Sequence, residues 1–239
     1  ANVLSLISGN GFGREGYPVR GLFSIPFAGL TEDGLPTFIN QDGQKTISSF
    51  NFQEYEKLDF LKYEGPTDPT ITGSFGNILT YKNLKLNVFV TYSFGNVIRL
   101  DPVFSNAYSD LDAMPKEFKN RWMKAGDENV TNIPTIVSTR MNQQYAYLNM
   151  AYNAYNYSDV RIADGGFIRL KEISLSYDLP AKVINFFRLN KLQLKLQATN
   201  LCLLYADSKL NGQDPEFFRS GGVSTPVPKQ FTFTVRLGL

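Results

Sequence analysis

The sequence predicts an all-β chain of about six antiparallel strands that forms part of a large transmembrane β-barrel, with long extracellular loops that carry short helices. Three observations lead to this fold class: alternating strands, connections of alternating length, and too few strands to close a barrel. Residues 229–239 show the alternation most clearly. Phe231, Phe233, Val235 and Leu237 are apolar, and polar or small residues separate them. This period of two indicates a strand with one apolar and one polar face.

The same pattern recurs along the chain, in segments near the 9–11 residues with which a tilted strand crosses a bilayer. The predicted strands are residues 19–30, 70–80, 84–97, 165–178, 190–205 and 229–239. We expect the apolar residues of these strands to face lipid, namely Leu84, Leu86, Val88, Val90, Leu192, Leu194, Leu196, Phe231, Phe233, Val235 and Leu237. We expect their polar neighbours to line the lumen wall, namely Gln193, Lys195, Gln197, Thr232, Thr234 and Arg236. A dry sandwich core would not accept so many polar side chains.

The connections between these strands alternate between short and long. The long ones, residues 31–69, 98–164 and 206–228, are predicted to be extracellular, because outer-membrane barrels pair long extracellular loops with short periplasmic turns. Residues 115–124 are predicted to form an amphipathic helix, and residues 181–187 a short helical connector. Six strands are fewer than the eight of the smallest barrels, and an open edge in lipid would leave backbone groups unpaired. The chain is therefore expected to be one part of a larger barrel.

Composition excludes several functions. The net charge is +2, from 24 basic and 22 acidic residues, so the chain lacks the basic field that binds nucleic acid. Histidine is absent, which removes Ser-His-Asp and Cys-His sites and the commonest zinc ligand sets. The one cysteine, Cys202, is expected to be a small buried hydrophobic residue. No apolar run of 18 residues occurs, so a transmembrane helix is excluded.

The long loops hold the candidate contact residues, and we expect no catalytic residue, no metal ligand and no cofactor. Arg121 and Trp122 are candidates for ligand or partner contact. For Trp122 we favour the alternative that it packs within its own loop. A tyrosine- and asparagine-rich stretch either lines a ligand path or folds over the barrel mouth; it contains Tyr145, Tyr147, Asn149, Tyr152, Asn153, Tyr155, Asn156 and Tyr157. The acidic residues Asp110, Asp112, Asp127 and Glu128 fit no complete Ca²⁺ loop.

Several segments together resemble one family. They are residues 166–180 (GFIRLKEISLSYDLP), 197–201 (QATNL), 214–216 (DPE) and 226–233 (PVPKQFTF), with loop motifs at 27–30, 34–36, 121–128 and 132–134. In this order they resemble the C-terminal portion of SusC/RagA-like TonB-dependent outer-membrane transporters. The resemblance covers nearly the whole chain. It implies a multi-pass barrel of roughly 22 strands in the bacterial outer membrane. It also implies an N-terminal plug domain, which is absent from this chain.

The resemblance further implies a function and partners. Family members pair with a SusD-like surface lipoprotein and import oligosaccharides, or oligopeptides in RagA-type members, with energy relayed by TonB. TonB would be contacted through the missing N-terminal part, and the remainder of the barrel and outer-membrane lipid would surround these strands. Two other hypotheses remain from the residues alone. One is a soluble β-sandwich that binds carbohydrate through exposed aromatic residues, and the other is a glycosidase with two carboxylates about 5–10 Å apart.

Overall fold

The structure is a computed structural model that describes residues 1–9, 13–109, 111–186, 189–218 and 228–238. In chain order, its helices and strands are α1 (Val3–Ser8), β1 (Gly21–Ser24), β2 (Phe27–Leu30), β3 (Pro36–Ile39), β4 (Lys45–Thr46), β5 (Lys62–Pro66), β6 (Ile71–Tyr81), β7 (Leu84–Phe94), β8 (Val97–Arg99), α2 (Thr139–Gln144), α3 (Leu148–Asn156), β9 (Ile162–Asp164), β10 (Phe167–Asp178), α4 (Ala181–Phe186), β11 (Lys191–Ala206) and β12 (Gln230–Gly238). Short 3₁₀ helices occupy Lys116–Asn120, Asp127–Asn129, Asp159–Arg161, Ser208–Leu210 and Pro215–Phe217. None of the helices in these ranges combines the length and the apolar character needed to cross a membrane.

The chain divides into two compact units. The first unit, called the loop unit below, comprises Ala1–Asp68 and Asn96–Asp164. The second, called the sheet unit, comprises Pro69–Gly95 and Gly165–Leu239. The sheet unit contains β6, β7, β10, β11 and β12, and the other strands belong to the loop unit.

The sheet unit is built on a five-stranded antiparallel sheet in the order β12-β11-β10-β7-β6. β6 and β7 form a hairpin whose two-residue turn holds Lys82 at a φ of 52°. The next turn residue, Asn83, is tied to β10, because its backbone and side chain exchange hydrogen bonds with the backbone of Asp178 at 2.9 and 2.8 Å. The predicted all-β, antiparallel fold class is confirmed. The five strands overlap the predicted segments 70–80, 84–97, 165–178, 190–205 and 229–239, although Leu239 falls outside the described residues. The predicted end of the second strand is wrong: β7 ends at Phe94, and Val97 begins β8 of the loop unit.

Residues 19–30 do not form the single barrel strand that the sequence indicated. They form β1 and β2, which pair with β5 and β3 in two separate small sheets of the loop unit. The break falls at Pro26, which has no N–H for a strand ladder. The backbone N–H of Ile25 donates to Tyr157 instead, at 3.0 Å. The predicted loop 31–69 accordingly contains strands β3, β4 and β5.

The loop unit has its own hydrophobic core. α3 contributes one face of its helix, because Leu148, Ala151, Tyr152 and Tyr155 follow helical spacing and are buried. Helix α1 packs into the same core through three further buried residues, Val3, Leu6 and Ile7. The segments that the sequence predicted to be long loops are therefore packed around a core, like a small domain.

Residues 115–124 form only the 3₁₀ helix Lys116–Asn120, so the predicted amphipathic helix is wrong in length. The chain extends at Arg121 because the next backbone N–H groups are already engaged. The carboxylate of Asp127 accepts from Met123 and Lys124 at 3.0 and 3.1 Å, and Trp122 donates to Ile133 at 2.9 Å. A helix needs those N–H groups for its own ladder.

Candidate functional site

The polar face of the five-stranded sheet brings the six predicted wall residues together. The register of β11 and β12 sets them opposite one another in three pairs: Gln193 with Arg236, Lys195 with Thr234, and Gln197 with Thr232. Residues that face each other across an antiparallel pair share one face of the sheet. The sequence prediction treated each strand separately, and the register now places these side chains on one continuous surface.

The same polar face continues across β10 and β7. Asn87 of β7 donates to the carboxylate of Glu172 of β10 at 3.2 Å, and Gln193 of β11 donates to Asp178 of β10 at 2.9 Å. These contacts join neighbouring strands through amide and carboxylate groups. The face therefore presents hydrogen-bonding groups along the sheet, as a surface in contact with water or a polar ligand would.

The opposite face of the sheet is mainly apolar in all five strands, although Asn77 of β6 also lies on it, opposite Val88. One row of side chains crosses it from edge to edge: Leu79, Leu86, Leu175, Leu196 and Phe233. Every lipid-facing residue named from the sequence lies on this face. Leu79, Leu196 and Phe233 are about 60% exposed, at 60, 58 and 61%. A continuous apolar surface of this extent marks an interaction or membrane surface.

Aromatic side chains lie toward both ends of the apolar face. Tyr81 and Tyr177 both face Leu84 in the register, near the β6–β7 turn. Tyr92, Phe94 and Tyr205 cluster at the other end, with ring centroids of neighbours 6.0–6.1 Å apart. Transmembrane barrels carry such aromatic girdles at the two membrane–water interfaces.

Cys202 also lies on the apolar face, opposite Leu170, and it is exposed. The expectation of a buried cysteine is therefore wrong. Burial preferences for free cysteine assume that the apolar face of a strand points into the protein. Here the apolar face points outward.

A buried ion pair lies at the end of the polar face that is near the C-terminus of β11. Arg169 of β10 sits between Thr91 and Leu203 in the register. One of its guanidinium nitrogens contacts both carboxylate oxygens of Asp214 at 2.6 Å, and it contacts Glu216 at 3.1 Å. Sequence reasoning noted both segments as motifs but assigned neither residue a role. Two signals in the sequence could have indicated this ion pair: a basic residue, Arg169, inside an alternating strand, and the acidic segment 214–216 in a loop.

Next to this ion pair is a cavity of about 590 Å³. Arg169, Asn200, Ser208, Gln213 and Asp214 are among the residues that line it. Two buried polar atoms in its lining, the Nε of Arg169 and the Oδ1 of Asn200, have no hydrogen-bond partner among the residues that the structure describes. The lining also includes Leu201, Leu203 and Leu204 of β11, so the cavity combines polar and apolar side chains.

In the loop unit, Trp122 packs within its own loop. Its indole N–H donates to Glu128 at 3.1 Å, and its ring lies so close to Gly34 that a Cβ there would come within 2.4 Å. Arg121 lies with its guanidinium 4.9 Å from the ring centre of Phe118. The contact with Glu128 lies within the loop that contains Trp122, whereas Gly34 belongs to the predicted loop 31–69. Arg121 is half-buried beside Trp122.

The tyrosines of the predicted ligand path divide into two groups. Tyr152 and Tyr155 are 1 and 2% exposed and belong to the core, so they cannot meet a ligand in this fold. Burial raises the pKa of both phenols. Asn156, which we had considered as a ligand partner, is likewise buried. Sequence alone does not distinguish these positions, because tyrosine and asparagine occur both in cores and at surfaces.

Tyr145 and Tyr147 remain accessible, each at the edge of a cleft. Tyr145 borders a cleft of about 490 Å³ and donates to Asp33 at 2.8 Å, a hydrogen bond that raises the pKa of its phenol. Tyr147 is 70% exposed and borders a cleft of about 420 Å³. Its φ of 61° is unusual for a tyrosine. Ser48 borders both clefts and donates to Ala146 at 3.2 Å, which fixes the segment between the two tyrosines.

The two clefts are lined mainly by neutral polar side chains, among them Gln41, Asn51 and Gln144, with Lys45 as the charged one. Asn149 and Asn153 are exposed on α3, which begins beside Tyr147. This region gathers the accessible members of the predicted contact set. We call it the tyrosine clefts below.

The acidic residues considered from the sequence serve their own loops. Asp112 accepts from Ser109 at 2.6 Å, and Glu128 accepts from Gly126 at 2.8 Å in addition to Trp122. Asp110 lies outside the described residues. Within the described part of the chain, no three His, Cys, Asp or Glu side chains form a group that would hold a metal ion.

Comparisons with known proteins give one curated relative and several solved structures, whereas no family model matches. The relative is the TonB-dependent receptor P3 of Formosa agariphila, 25% identical over 209 residues, which are 84% of this chain and 18% of the relative. The solved structures are the RagAB peptide transporter (TM-score 0.61) and the RagAB peptide importer in its open-open state (0.60) and closed-closed state (0.58). Each is 21% identical to this chain.

The alignments cover 90–91% of this chain and 22% of each solved chain. This chain thus spans about a fifth of the length of the proteins that it matches. The resemblance to TonB-dependent transporters that the sequence motifs indicated is confirmed, and the shared fold extends over nearly all of the chain.

Proposed function

We propose that residues 1–239 form the C-terminal part of the barrel wall and the extracellular loops of a TonB-dependent outer-membrane importer. The observation that carries this proposal is the two-faced sheet, whose apolar and polar faces stay in register across five strands. In an outer-membrane barrel, lipid covers the apolar face and the water-filled lumen borders the polar face. The function is transport without catalysis.

The exposure of the apolar face argues against the soluble sandwich. A sandwich buries this face against a second sheet. Leu196 and Phe233 in the apolar row are 58 and 61% exposed, and Tyr81 and Phe231 are 69 and 77% exposed. The free energy of exposing so much apolar surface to water is unfavourable, so a membrane is the environment that suits this sheet.

The partners follow by analogy. The relative is named a TonB-dependent receptor, and the solved structures contain RagA with RagB. We infer that the importer pairs with a SusD-like surface lipoprotein above the loop unit. TonB would be contacted through a part of the protein outside these residues.

The cargo is an oligosaccharide or an oligopeptide. The tyrosine clefts favour the first, because an exposed aromatic ring beside neutral amide and hydroxyl groups suits a sugar. The similarity to the RagAB peptide importer favours the second. Tyr145, Tyr147, Asn149 and Asn153 are the proposed contacts, whereas Trp122 packs against Gly34 and Arg121 against Phe118.

Uptake by the full-length protein tests the proposal. Cells that express it, with and without TonB, would receive labelled oligosaccharides or oligopeptides of graded length. We expect the protein to fractionate with the outer membrane and uptake of one class to require TonB. A full-length protein that is folded and monodisperse in buffer without detergent would overturn the membrane assignment. TonB-independent uptake of both classes would overturn the import assignment.

A matched pair of variants tests the tyrosine clefts. Tyr147→Ala removes an aromatic ring at a cleft, and Tyr55→Ala removes one that is equally exposed, at 69%, but borders neither cleft. We expect Tyr147→Ala to weaken the apparent affinity for cargo about tenfold, a typical loss for an aromatic contact. Tyr55→Ala should leave it unchanged. Equal effects of the two variants would contradict a role for the clefts.

A further inference from the structure

The ion pair between Arg169 and Asp214 joins the sheet to the connection that follows β11. Arg169 lies on β10, in the middle of the sheet. Asp214 lies in the connection 207–218 that follows β11. Because Arg169 is on the polar face, the connection is drawn over that face by the contact. The end of the sheet at which this happens is the one opposite the β6–β7 turn.

Both charged groups are almost completely removed from water. The side chains of Arg169 and Asp214 are 6 and 7% exposed, and the two N···O distances are 2.6 Å. The guanidinium also lies 5.3 Å from the ring centre of Phe167. Breaking such a pair by removing one partner leaves an uncompensated buried charge, which is strongly unfavourable.

Asp214 also shapes the connection itself. Its Oδ1 accepts from the backbone N–H of Glu216 at 3.1 Å and so caps the 3₁₀ helix Pro215–Phe217. Glu216 in turn reaches the same guanidinium at 3.1 Å while remaining half exposed. Arg169 therefore holds a formed turn rather than a single side chain.

Much of the rest of the connection is exposed. Ser208, Lys209, Asn211, Gly212 and Gln213 are exposed, and Ser208, Gly212 and Gln213 border the cavity of about 590 Å³. Leu210, which is 1% exposed, and Pro215 are buried as well. With a cavity beneath it, the connection has room to change position if the ion pair opens.

We propose that Arg169 is a positioning residue whose ion pair with Asp214 fixes the connection 207–218 over the polar face of the sheet. The consequence for transport rests on the proposed function: the fixed connection sets the width of the path that the polar face borders. Opening the pair would widen that path and relax the limit on cargo length.

The position of the connection is measured directly in the full-length protein in detergent. Spin labels at Ser208→Cys and Thr80→Cys report the distance between the connection and β6, in a background that lacks Cys202 and other reactive cysteines. We expect one narrow distance distribution in this parent. Asp214→Asn and Arg169→Met should each raise the population of a second distance at least about tenfold, because each leaves a buried group unpaired. Arg169→Lys, which keeps the charge, should restore most of the single population.

Two controls separate the ion pair from general damage. Gln213→Ala changes the neighbouring exposed side chain, and Asp178→Asn removes a carboxylate elsewhere on the sheet. Both should keep the narrow distribution. An unchanged distribution in Asp214→Asn and Arg169→Met would overturn the proposal, and so would equal broadening in Gln213→Ala.

Uptake of cargo of graded length is the second readout. Asp214→Asn should admit longer cargo, with the change in KM rather than in the amount of protein in the outer membrane. A shifted distance distribution with an unchanged length limit would overturn the link to transport and leave the role of Arg169 in place. If the parent protein imports nothing, the proposed function fails, and the distance measurement still decides the role of Arg169.

Discussion

The side-chain amide of Asn156 forms two hydrogen bonds with the backbone of Phe104, 52 residues away in the chain. Its Oδ1 accepts from the N–H of Phe104 at 3.1 Å, and its Nδ2 donates to the carbonyl at 2.8 Å. The amide thus takes the place of a strand partner for one residue. Both groups are buried, so the contact connects the end of α3 to the segment that follows β8 without any sheet.

Asn156→Ala should destabilise the loop unit by about 2–4 kcal/mol, because it leaves a buried N–H and a buried carbonyl of Phe104 unpaired. The denaturant concentration at the unfolding midpoint of the loop unit, monitored by limited proteolysis, measures this loss of stability. Asn153→Ala is the matched control, because Asn153 is exposed on the same helix. Equal midpoints for the two variants would show that the Asn156 contact contributes nothing.

Gly34→Ala should displace Trp122. Gly34 has a φ of 76°, and an added Cβ would come 2.4 Å from the Cδ2 of the indole. Gly43→Ala separates the clash from backbone strain, because Gly43 has a φ of 73° and no atom within 4 Å of the added Cβ. We expect Gly43→Ala to cost about 1–2 kcal/mol and Gly34→Ala clearly more. The emission of Trp122, obtained as the difference from Trp122→Phe, should shift only in Gly34→Ala.

The contact between Glu128 and Trp122 should weaken in acid. The pKa of Glu128 is lowered, first by its own backbone N–H and then by the indole N–H of Trp122. Since the folded pKa lies below the unfolded value of about 4.3, the stabilisation is present above that value and is lost as the pH falls through the folded pKa. Trp122 emission should therefore change below about pH 4. In Glu128→Gln this change should vanish; a transition that persists there would assign it to another group.

The sequence was sufficient to predict the two faces of the sheet, because alternation within a strand needs no knowledge of its neighbours. Leu196 and Gln197 were placed on opposite faces from β11 alone, and the register agrees. Residues whose environment depends on distant segments were not predictable. Tyr152 and Tyr147 lie five positions apart in one polar stretch, yet one is core and the other is 70% exposed. Tyr152 belongs to a core cluster that includes Phe23 of β1 and Phe38 of β3, and the sequence had presented these two segments as a single strand and a loop.

Arginine substitutions at Leu196 and Gln197 test the assignment of the two faces. Leu196 lies in the apolar row beside Leu175 and Phe233, and Gln197, its neighbour in β11, lies opposite Thr232 on the polar face. A lipid-facing arginine costs about 2–4 kcal/mol near the bilayer midplane, whereas a lumen-facing arginine stays in water. Leu196→Arg should therefore lower the amount of folded, heat-modifiable protein in the outer membrane, and Gln197→Arg should leave it near the parent level. The reverse order would mean that the apolar face does not meet lipid, because both substitutions add the same charge to adjacent positions of one strand.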